Sequence, residues 1–377
     1  MTLTRKLEIN SINDQRYMEM ALGLARWGLG KTSPNPSVGC VLVKDNCVVG
    51  RGRTGNGGRP HAEQVAISRA GSKALGATAF ITLEPCAHHG ETPPCAEAII
   101  ASGVSRAVVA IEDPDPRVSG KGINKLEAAG IKVELGICSE LANNINLGFF
   151  NKIKLGRPFV TLKLATSLDG FIATNTGESK WITSSQCRER SHLLRSENDA
   201  VLIGVDTLLS DNPALTVRLP GLENTSPVRV VLDSNLRSPL GYELISSAKN
   251  IPTWLMTSKK ADGLSNQTLY ERAGVELIYL DPGEDGRLPI KDVLSSITKK
   301  GVTRLLIEGG GAVAASFIKA GLVDEIYWFR STIVLGGNGI SAISDLGLKH
   351  LVSAPKFILK DKMSIVDETL EVYSRKS

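Results

Sequence analysis

The sequence predicts two successive α/β domains, on the evidence of chain length, of alternating apolar patterns and of a break near the middle. A chain of 377 residues exceeds what one hydrophobic core usually organises. Short β-rich runs alternate with helical periodicity in both halves, which is typical of helices packed on a largely parallel sheet. We place the domains at residues 12–150 and 158–375, on either side of a polar stretch that Gly156 and Pro158 close.

The first domain is expected to open with a helix, because apolar residues recur at helical spacing from Asn13, a typical N-cap, to about Gly28. Lys44-Asp45-Asn46 is a turn-forming cluster and indicates a hairpin. The predicted elements are strands at 38–43 and 47–51, a helix from about 61, a strand at 79–83, a helix from about 95, a strand at 107–111, a helix at 123–129, a strand at 131–135 and a helix at 139–150.

The same alternation begins afresh in the second domain. The predicted elements are a strand at 159–164, a helix at 184–195, strands at 200–203, 228–232, 253–256, 275–280 and 304–307, and a helix at 312–320. The last strand runs into Gly309, Gly310 and Gly311.

Composition restricts the class of partner. The net charge is only +5, and the basic residues are scattered, which disfavours nucleic acid and suits an anionic small molecule. No long apolar segment is seen, so we expect a cytoplasmic protein without membrane association, and a homo-oligomer is left open. Six cysteines without an even framework indicate reduced thiols, and four of them are expected to be packing residues: Cys40, Cys47, Cys138 and Cys187.

The strongest chemical signal is a candidate zinc site formed by His61, Cys86 and Cys95. Zinc favours imidazole and thiolate in a tetrahedral arrangement, and a catalytic site leaves the fourth corner to water. Glu63 lies two residues after the histidine at the start of a predicted helix, where it faces the metal without binding it. We therefore expect zinc to activate water and Glu63 to move protons, as in a hydrolytic deaminase.

The cysteine spacing departs from the commonest zinc deaminase pattern, His-x-Glu followed by Pro-Cys-x-x-Cys. Eight residues separate Cys86 from Cys95, and they include His88 and His89 as rival ligands. We favour the cysteines, because both lie at the ends of predicted elements. A structural zinc site and a set of packing residues are the alternatives that the spacing leaves open.

A substrate-contacting residue is expected just before the first strand. The side-chain amide of Asn35 offers both a donor and an acceptor to a flat heterocycle, although the segment also reads as a proline-stiffened turn. The loop 51–59 either lines the same mouth or provides ordinary hairpin flexibility.

Taken in order along the chain, these motifs resemble the bifunctional riboflavin-biosynthesis deaminase and reductase family, in which the wider cysteine gap is characteristic. The resemblance spans nearly the whole chain. It rests on Asn35-Pro36-x-Val38-Gly39, His61-Ala62-Glu63, Leu83-Glu84-Pro85-Cys86, Thr92-Pro93-Pro94-Cys95, Asp113-Pro114-Asp115-Pro116, Ser167-Leu168-Asp169-Gly170, Gly177-Glu178-Ser179-x-Trp181-Ile182-Thr183 and Asp211-Asn212-Pro213-x-Leu215-Thr216-Val217-Arg218.

The resemblance implies a cytidine-deaminase-like three-layer α/β/α domain followed by a dihydrofolate-reductase-like α/β domain. The first would remove the 2-amino group of 2,5-diamino-6-ribosylamino-4(3H)-pyrimidinone 5′-phosphate. The second would use NADPH to reduce 5-amino-6-(5-phosphoribosylamino)uracil to 5-amino-6-(5-phospho-D-ribitylamino)uracil.

The same resemblance implies the contacts of the reductase half. NADP contacts fall on Ala165, Trp181, Thr207, Asp211, Gly310, Gly311, Ala312, Val313, Ala314, Ala315 and Ser316. Substrate contacts fall on Ser179, Arg195, Leu215, Arg218 and Glu308. From the residues themselves, Arg195 and Arg218 offer guanidinium forks for phosphate, and Trp181 offers a ring for stacking on nicotinamide. No proton donor stands out, and Asp169 is interpreted as a polar organiser.

Two rival functions remain at this level. One is a zinc nucleoside or RNA-base deaminase with a C-terminal ligand-binding module, which the scattered charge and scarce aromatic residues disfavour. The other is a zinc-dependent ligand sensor, which has little need of the carboxylate at Glu63.

Overall fold

The computed structural model describes residues 3–89, 93–261, 263 and 267–376, with side chains from residue 13 onward. The chain forms two compact units, Met1–Gly156 and Arg157–Ser377, which are described separately below. Among the described residues, no helix is both long and apolar enough to cross a lipid bilayer.

The N-terminal unit is built on a five-stranded mixed sheet with strand order β2-β1-β3-β4-β5. Strand β1 is antiparallel to both of its neighbours, β2 and β3, whereas β3, β4 and β5 are parallel to one another. The strands are β1 Gly39–Lys44, β2 Cys47–Arg53, β3 Thr78–Ile81, β4 Arg106–Val109 and β5 Lys132–Leu135. The helices are α1 Leu3–Arg26, α2 Ala62–Ala70, α3 Cys95–Ala101, α4 Lys121–Ala128 and α5 Ser139–Leu155.

Helices cover both faces of this sheet. Successive side chains of a strand point to opposite faces, and here the side chains on both faces are apolar. Cys40 and Leu42 pack into a core with residues of α2, α3 and α4. Val41 and Val43 point the opposite way, into a second core with residues of α1 and α5. The three-layer α/β/α arrangement expected for the first domain is therefore confirmed.

Three expectations about this unit are corrected. The first helix begins at Leu3, ahead of Asn13. The helix expected at 139–150 extends further: α5 continues to Leu155, with two lysines in its last turn, where they complement the helix dipole, and Gly156 ends it with a positive φ of 65°. Cys47 is exposed at the hairpin turn, so it is not a packing residue.

The C-terminal unit contains a nine-stranded sheet with strand order β11-β10-β9-β8-β12-β6-β13-β16-β15. Its strands are β6 Phe159–Thr166, β8 Ala200–Gly204, β9 Val228–Leu232, β10 Thr253–Ser258, β11 Val275–Leu280, β12 Arg304–Ile307, β13 Glu325–Arg330, β15 Phe357–Ile365 and β16 Glu368–Arg375, and a small separate pair is formed by β7 Phe171–Ala173 and β14 Ile340–Ser341. Its helices are α6 Ser185–Ser196, α7 Val205–Asp211, α8 Glu243–Ser246, α9 Gln267–Ala273, α10 Ile290–Lys299 and α11 Gly311–Lys319.

The sheet is parallel from β11 to β13, and β16 and β15 add an antiparallel edge. Strand β7, the helices α7, α8, α9 and α10 and the strands from β13 onward were not predicted. Strand β12 inserts between β8 and β6, so strands that are distant in sequence end side by side. In open α/β sheets such a switch in strand order leaves a ligand-binding crevice at the carboxyl ends of the strands.

Candidate active sites

The residues expected to hold zinc lie together in the N-terminal unit. The ligand atoms of His61, Cys86 and Cys95 all lie within 4.8 Å of one another. Nδ1 of His61 is 3.2 Å from Sγ of Cys95 and 3.6 Å from Sγ of Cys86. Around a tetrahedral zinc ion with bonds of 2.0–2.3 Å, ligand atoms are separated by about 3.5 Å. The donor set and its spacing therefore fit zinc.

Two helix starts and one loop position these ligands. His61 is the N-cap residue of α2, with extended backbone, and Cys95 is the first residue of α3. Cys86 lies in the loop after β3, and its carbonyl oxygen accepts a hydrogen bond of 3.2 Å from the amide of Ala96. The partial positive charge at a helix start stabilises the thiolate form of cysteine, which is the form that binds a metal ion.

The local hydrogen bonding favours the thiolate form of one of the two cysteines. Hydrogen bonding with Cys95 lowers the pKa of the Cys86 thiol to about 4, so that this cysteine is ionised near neutral pH. Hydrogen bonding with Cys86, together with burial, raises the pKa of Cys95 above its ordinary value. Binding of a metal ion to both sulfur atoms releases the remaining proton.

Glu63 lies in the first turn of α2 and is buried, with 3% of its surface exposed. Burial raises the pKa of its carboxyl group to about 7, and the nearby Cys86 charge acts in the same direction. A carboxyl group with a pKa near neutrality is suited to accept a proton and to return it. Glu63 and two of the cluster residues, His61 and Cys86, line one cavity.

Asn35 and the loop 51–59 line the same cavity, through Thr54, Gly58 and Arg59. The backbone of Gly58 passes directly against Asn35, since an added Cβ atom would lie 1.9 Å from Nδ2 of that residue. Its φ of +92° also favours glycine. The loop therefore belongs to the mouth of the site rather than serving only as hairpin flexibility.

The histidines between the cysteines do not join the cluster. His88 lines the cavity, whereas His89 is exposed and lies 3.6 Å from the carboxylate of Glu97. Gly90, Glu91 and Thr92 of this segment lie outside the described residues.

Sequence reasoning overlooked a group of acidic residues in this cavity, Glu84, Asp113 and Asp115. Glu84 is buried next to Pro85-Cys86 and accepts backbone hydrogen bonds from Gly122 at 2.8 Å and from Gly120 at 3.0 Å. These bonds tie the Cys86 loop to the start of α4. The quoted Leu-Glu-Pro-Cys and Asp-Pro-Asp-Pro motifs contain all three residues and were the available signal.

In the C-terminal unit, a cleft opens at the carboxyl ends of β6, β8 and β12. It collects many of the expected reductase contacts. Those lining it are Ala165, Ser179, Thr207, Asp211, Glu308, Gly310, Gly311, Ala312, Val313 and Ala314.

Glycines allow the backbone to pack closely at this cleft. An added Cβ atom at Gly309 would lie 2.9 Å from the side chain of Thr207, and one at Gly311 would lie 2.8 Å from the carbonyl oxygen of Ser341. Helix α11 begins there, and the amides of its first turn have no partner within the helix. Such a glycine-lined helix start fits the diphosphate of a dinucleotide.

The other expected contacts lie outside this cleft lining. Ala315 and Leu215 are buried, and Arg218 is exposed. Ser316 lines a neighbouring crevice. Trp181 is 65% exposed, and the guanidinium of Arg188 stands 4.3 Å from its ring centre, so this face is covered by an arginine.

Arg195 is engaged by protein groups. Its Nε and Nη2 donate to the two carboxylate oxygens of Glu308, and its Nη1 donates to the carbonyl oxygen of Thr216 at 2.9 Å. The guanidinium thus does not present the open fork that the phosphate interpretation requires. Although burial acts to raise it, the charge of Arg195 holds the pKa of Glu308 below its usual range.

Lys163 is a partly buried cation, with 17% of its side chain exposed, that the sequence analysis did not single out. It lines the reductase cleft from β6, and its Nζ lies 4.0 Å from Oε2 of Glu308. Burial lowers its pKa, although Glu308 opposes the shift. A single charged residue in strand β6 was the available signal. Asp169 has the organising role expected of it, since its carboxylate accepts from Ser167 Oγ at 2.6 Å and from the amide of Gly336 at 2.7 Å.

Each of the two units matches a known protein-family model. Residues 158–368 match the model of the RibD C-terminal domain, and residues 11–111 match that of the cytidine and deoxycytidylate deaminase zinc-binding region. The riboflavin biosynthesis protein RibD of Aquifex aeolicus is 42% identical, over 96% of this chain and 98% of its own length. The chain belongs to the RibD family.

Further RibD-family relatives agree. RibD of Escherichia coli is 38% identical over 93% of this chain and 96% of its own length. A structure of Acinetobacter baumannii RibD has a TM-score of 0.86 at 37% identity, covering 97% of this chain and all of that one. A Thermotoga maritima structure, described as a diaminohydroxyphosphoribosylaminopyrimidine deaminase and 5-amino-6-(5-phosphoribosylamino)uracil reductase, has a TM-score of 0.86 at 34% identity, covering 97% of this chain and all of that one.

RibD membership confirms the expected fold class and the expected function in riboflavin biosynthesis. The chain is a bifunctional enzyme with a zinc-binding deaminase domain and a reductase domain. Zinc and NADPH, the expected cofactors, are those that go with these two domains.

Proposed function

We propose that the N-terminal unit deaminates 2,5-diamino-6-ribosylamino-4(3H)-pyrimidinone 5′-phosphate at C2 and that the C-terminal unit reduces the resulting 5-amino-6-(5-phosphoribosylamino)uracil. The observation that carries the deaminase assignment is the buried carboxyl group of Glu63 in one cavity with the His61 and Cys86 metal ligands. The deaminase and reductase activities named for the Thermotoga maritima protein support both substrates.

In the deaminase site, bound zinc supplies a Lewis acid that makes water nucleophilic near neutral pH. Glu63 accepts a proton from the attacking water and transfers it to the pyrimidine ring nitrogen as oxygen bonds to C2. Glu63 next takes the remaining proton from the hydroxyl now bonded to C2 and transfers it to the amino group, and the C2–N bond breaks to release ammonia as the C2 carbonyl forms. Asn35, held by Gly58, orients the ring from the mouth of the cavity.

In the reductase site, NADPH supplies hydride to C1′ of the opened ribose. We assign Thr207, Asp211 and the α11 start from Gly310 to cofactor binding, and Ser179 and Glu308 to the substrate. Arg195 holds Glu308 in place rather than binding phosphate. Lys163 is the partly buried acid that can supply the proton which completes reduction of the C1′–N double bond to an amine.

We place both reactions in the cytoplasm, since Cys86 and Cys95 must stay reduced to bind a metal ion. The rival assignment is a deaminase that acts on nucleosides or RNA bases. Cytidine represents that substrate class and serves as the comparison substrate in the assay.

The deciding experiment incubates the purified protein with the diamino pyrimidinone ribotide, with and without NADPH, and follows ammonia release and NADPH oxidation. We expect ammonia without NADPH, and NADPH oxidation only after deamination. Turnover of cytidine in place of the ribotide would contradict the proposal.

A pair of variants tests whether the deaminase and reductase activities depend on independent sites. Cys86→Ser and Cys95→Ser are expected to lower bound zinc and ammonia release while reduction of the deaminated ribotide persists. The exposed Cys47 provides the matched control, as Cys47→Ser removes a thiol away from the cluster. Equal loss of both activities in the ligand variants would speak against independent sites.

A further inference from the structure

The loop at residues 212–217 connects two parts of the reductase site. It begins where α7 ends, and the last residue of that helix, Asp211, lines the cleft. Near the other end of the loop, the carbonyl oxygen of Thr216 accepts a hydrogen bond of 2.9 Å from Nη1 of Arg195, the residue that holds Glu308. The position of this loop therefore governs the position of Arg195 and, through it, of a substrate-facing carboxylate.

The loop has an unfavourable backbone conformation at one of its residues. It contains no helix or strand, and Leu215 adopts a φ of 52°, in the left-handed region. Leucine is found there only where the surrounding structure imposes it. The side chain of Leu215 is buried in an apolar cluster that includes Val231 and Leu244. The loop thus depends on contacts with residues outside itself.

One of these contacts comes from Arg229 on β9, which is fully buried. Its Nη1 donates a hydrogen bond of 3.3 Å to the carbonyl oxygen of Ala214 in the loop. The remaining acceptors of this guanidinium are uncharged oxygen atoms of the segment 244–253, namely the carbonyls of Leu244 and Ile251 and the hydroxyls of Ser247 and Thr253. A buried cation needs such partners to offset its desolvation. Arg229 therefore links Ala214 to the segment 244–253.

A second contact comes from the first residue of the loop, Asn212. Its Oδ1 accepts a hydrogen bond of 2.8 Å from the amide of Glu243, the first residue of α8. An amide at a helix start has no partner within the helix, so the side chain of Asn212 satisfies it. Asn212 and Arg229 thus attach the loop on both sides of Pro213 to one stretch of chain, residues 243–253.

We propose that Asn212 and Arg229 are positioning residues for the reductase reaction. They hold the loop so that the Thr216 carbonyl keeps Arg195, and hence Glu308, in the geometry that binds the substrate. Neither Asn212 nor Arg229 lines the cleft, so both act through the loop rather than by touching the substrate. This inference rests on the proposed reductase function.

The first test uses two substitutions of Asn212. Asn212→Gly keeps the left-handed backbone that this position requires, since its φ is 42°, but removes the acceptor oxygen. The KM for the deaminated ribotide is expected to rise by about 3- to 10-fold, the effect of one lost hydrogen bond, while the KM for NADPH and the rate of ammonia release stay close to those of the wild type. Asn212→Asp keeps an acceptor oxygen and should restore the KM for the ribotide.

The second test replaces Arg229 by lysine. A lysine keeps the charge but places its donors on one nitrogen, which cannot reach Ala214 and the segment 244–253 together as the guanidinium does. Arg229→Lys is expected to raise the KM for the deaminated ribotide by about 10- to 100-fold, because a hydrogen bond from a charged group is lost.

Val293→Ala separates positioning from a general loss of stability. Val293 is fully buried on α10, in an apolar cluster that does not include Leu215. Its truncation leaves a cavity and destabilises the same unit. Urea unfolding ranks the stabilities of the variants, and Val293→Ala should keep the KM of the wild type under conditions where it is folded.

Hydrogen exchange measures the hold on the loop without any turnover. The amide of Val217 donates a hydrogen bond of 3.0 Å to Oγ of Ser226, so its exchange reports local opening of the loop. Mass spectrometry of the full-length protein should show faster exchange in the peptide that covers residues 214–218 in Asn212→Gly and in Arg229→Lys. Asn212→Asp and Val293→Ala should exchange as the wild type does.

The outcomes distinguish the positioning role from the proposed function. An unchanged KM and unchanged loop exchange in Asn212→Gly and Arg229→Lys, or an equal rise of the KM in Val293→Ala, overturns the positioning role while the reductase function stands. A wild-type protein that does not oxidise NADPH with the deaminated ribotide contradicts the proposed function instead. In that event the exchange measurement still decides whether the two residues hold the loop.

Discussion

Arg195 and Glu308 form a bidentate ion pair at the reductase cleft, in which Nη2 of Arg195 lies 2.9 Å from Oε2 of Glu308. Only 14% of the arginine side chain and 5% of the glutamate side chain are exposed. A buried carboxylate that loses its partner retains the full cost of its desolvation. The pair therefore links stability of the C-terminal unit to the position of a substrate-facing group.

Arg195→Ala is expected to lower the free energy of unfolding of the C-terminal unit by about 3 kcal/mol and to abolish reduction, because buried Glu308 loses its bidentate partner and keeps only Lys163, 4.0 Å away. Deamination should persist. Urea unfolding followed by reductase activity, with ammonia release assayed in parallel, checks both effects. The exposed Arg272 on α9 provides a control substitution, Arg272→Ala. A loss confined to reduction, with unchanged stability, would contradict the structural half of this prediction.

Glu63→Gln is expected to slow deamination by about 100- to 10,000-fold, the usual contribution of a positioned acid–base group, while zinc stays bound. The amide keeps the shape of the side chain but cannot move the proton. Ammonia release and zinc content are measured on the same sample. Glu97→Gln on α3 is the control, since Glu97 is half-exposed and pairs with Lys125. Deamination at the original rate in Glu63→Gln would remove the proton-shuttle assignment.

Gly58→Ala is expected to weaken deaminase substrate binding, because its Cβ would strike Asn35 at 1.9 Å. Gly57 offers a close comparison: its φ is also positive, at +73°, but an added Cβ there meets nothing within 4 Å. Gly57→Ala carries the same backbone strain without the contact. We expect the KM for the ribotide to rise in Gly58→Ala well beyond its rise in Gly57→Ala. Equal effects in the two variants would show that strain alone, and not Asn35, governs the change.

The metal ligands and the acid–base residue of the deaminase site could be predicted because they lie close together in sequence. The two-residue spacing of His61 and Glu63 at a helix start places both at one end of α2, and cysteine next to proline marks the ends of elements. The parallel strands were also legible, since β8 is buried along its whole length and reads as a continuous apolar run.

The reductase site depends on contacts that sequence spacing does not encode. Lys163 and Glu308 meet only because β12 pairs with β6, and the pairing of Arg195 with Glu308 changes an apparent phosphate ligand into a positioning group. The last turn of α5, residues 151–155, was missed because polar residues there indicate a domain boundary, whereas the helix ends only where Gly156 adopts positive φ.

His192 gives the reductase unit an acid-sensitive point. Burial, followed by the charges of Arg195 and Arg218, lowers the pKa of His192 to about 4 in the folded protein, against 6.5 for a free histidine. The unfolded chain therefore binds the proton more tightly, so the stability contributed by neutral His192 is complete above pH 6.5 and is lost as the pH falls from 6.5 towards 4. After allowance for solvent screening at this half-buried side chain, the loss is about 1–2 kcal/mol. Urea unfolding of the C-terminal unit at pH 7 and pH 5 should show this loss in the wild-type protein and a smaller one in His192→Asn, whereas His350→Asn, at an exposed site, should resemble the wild type. A His192 resonance that titrates near pH 6.5 in the folded protein would contradict the prediction.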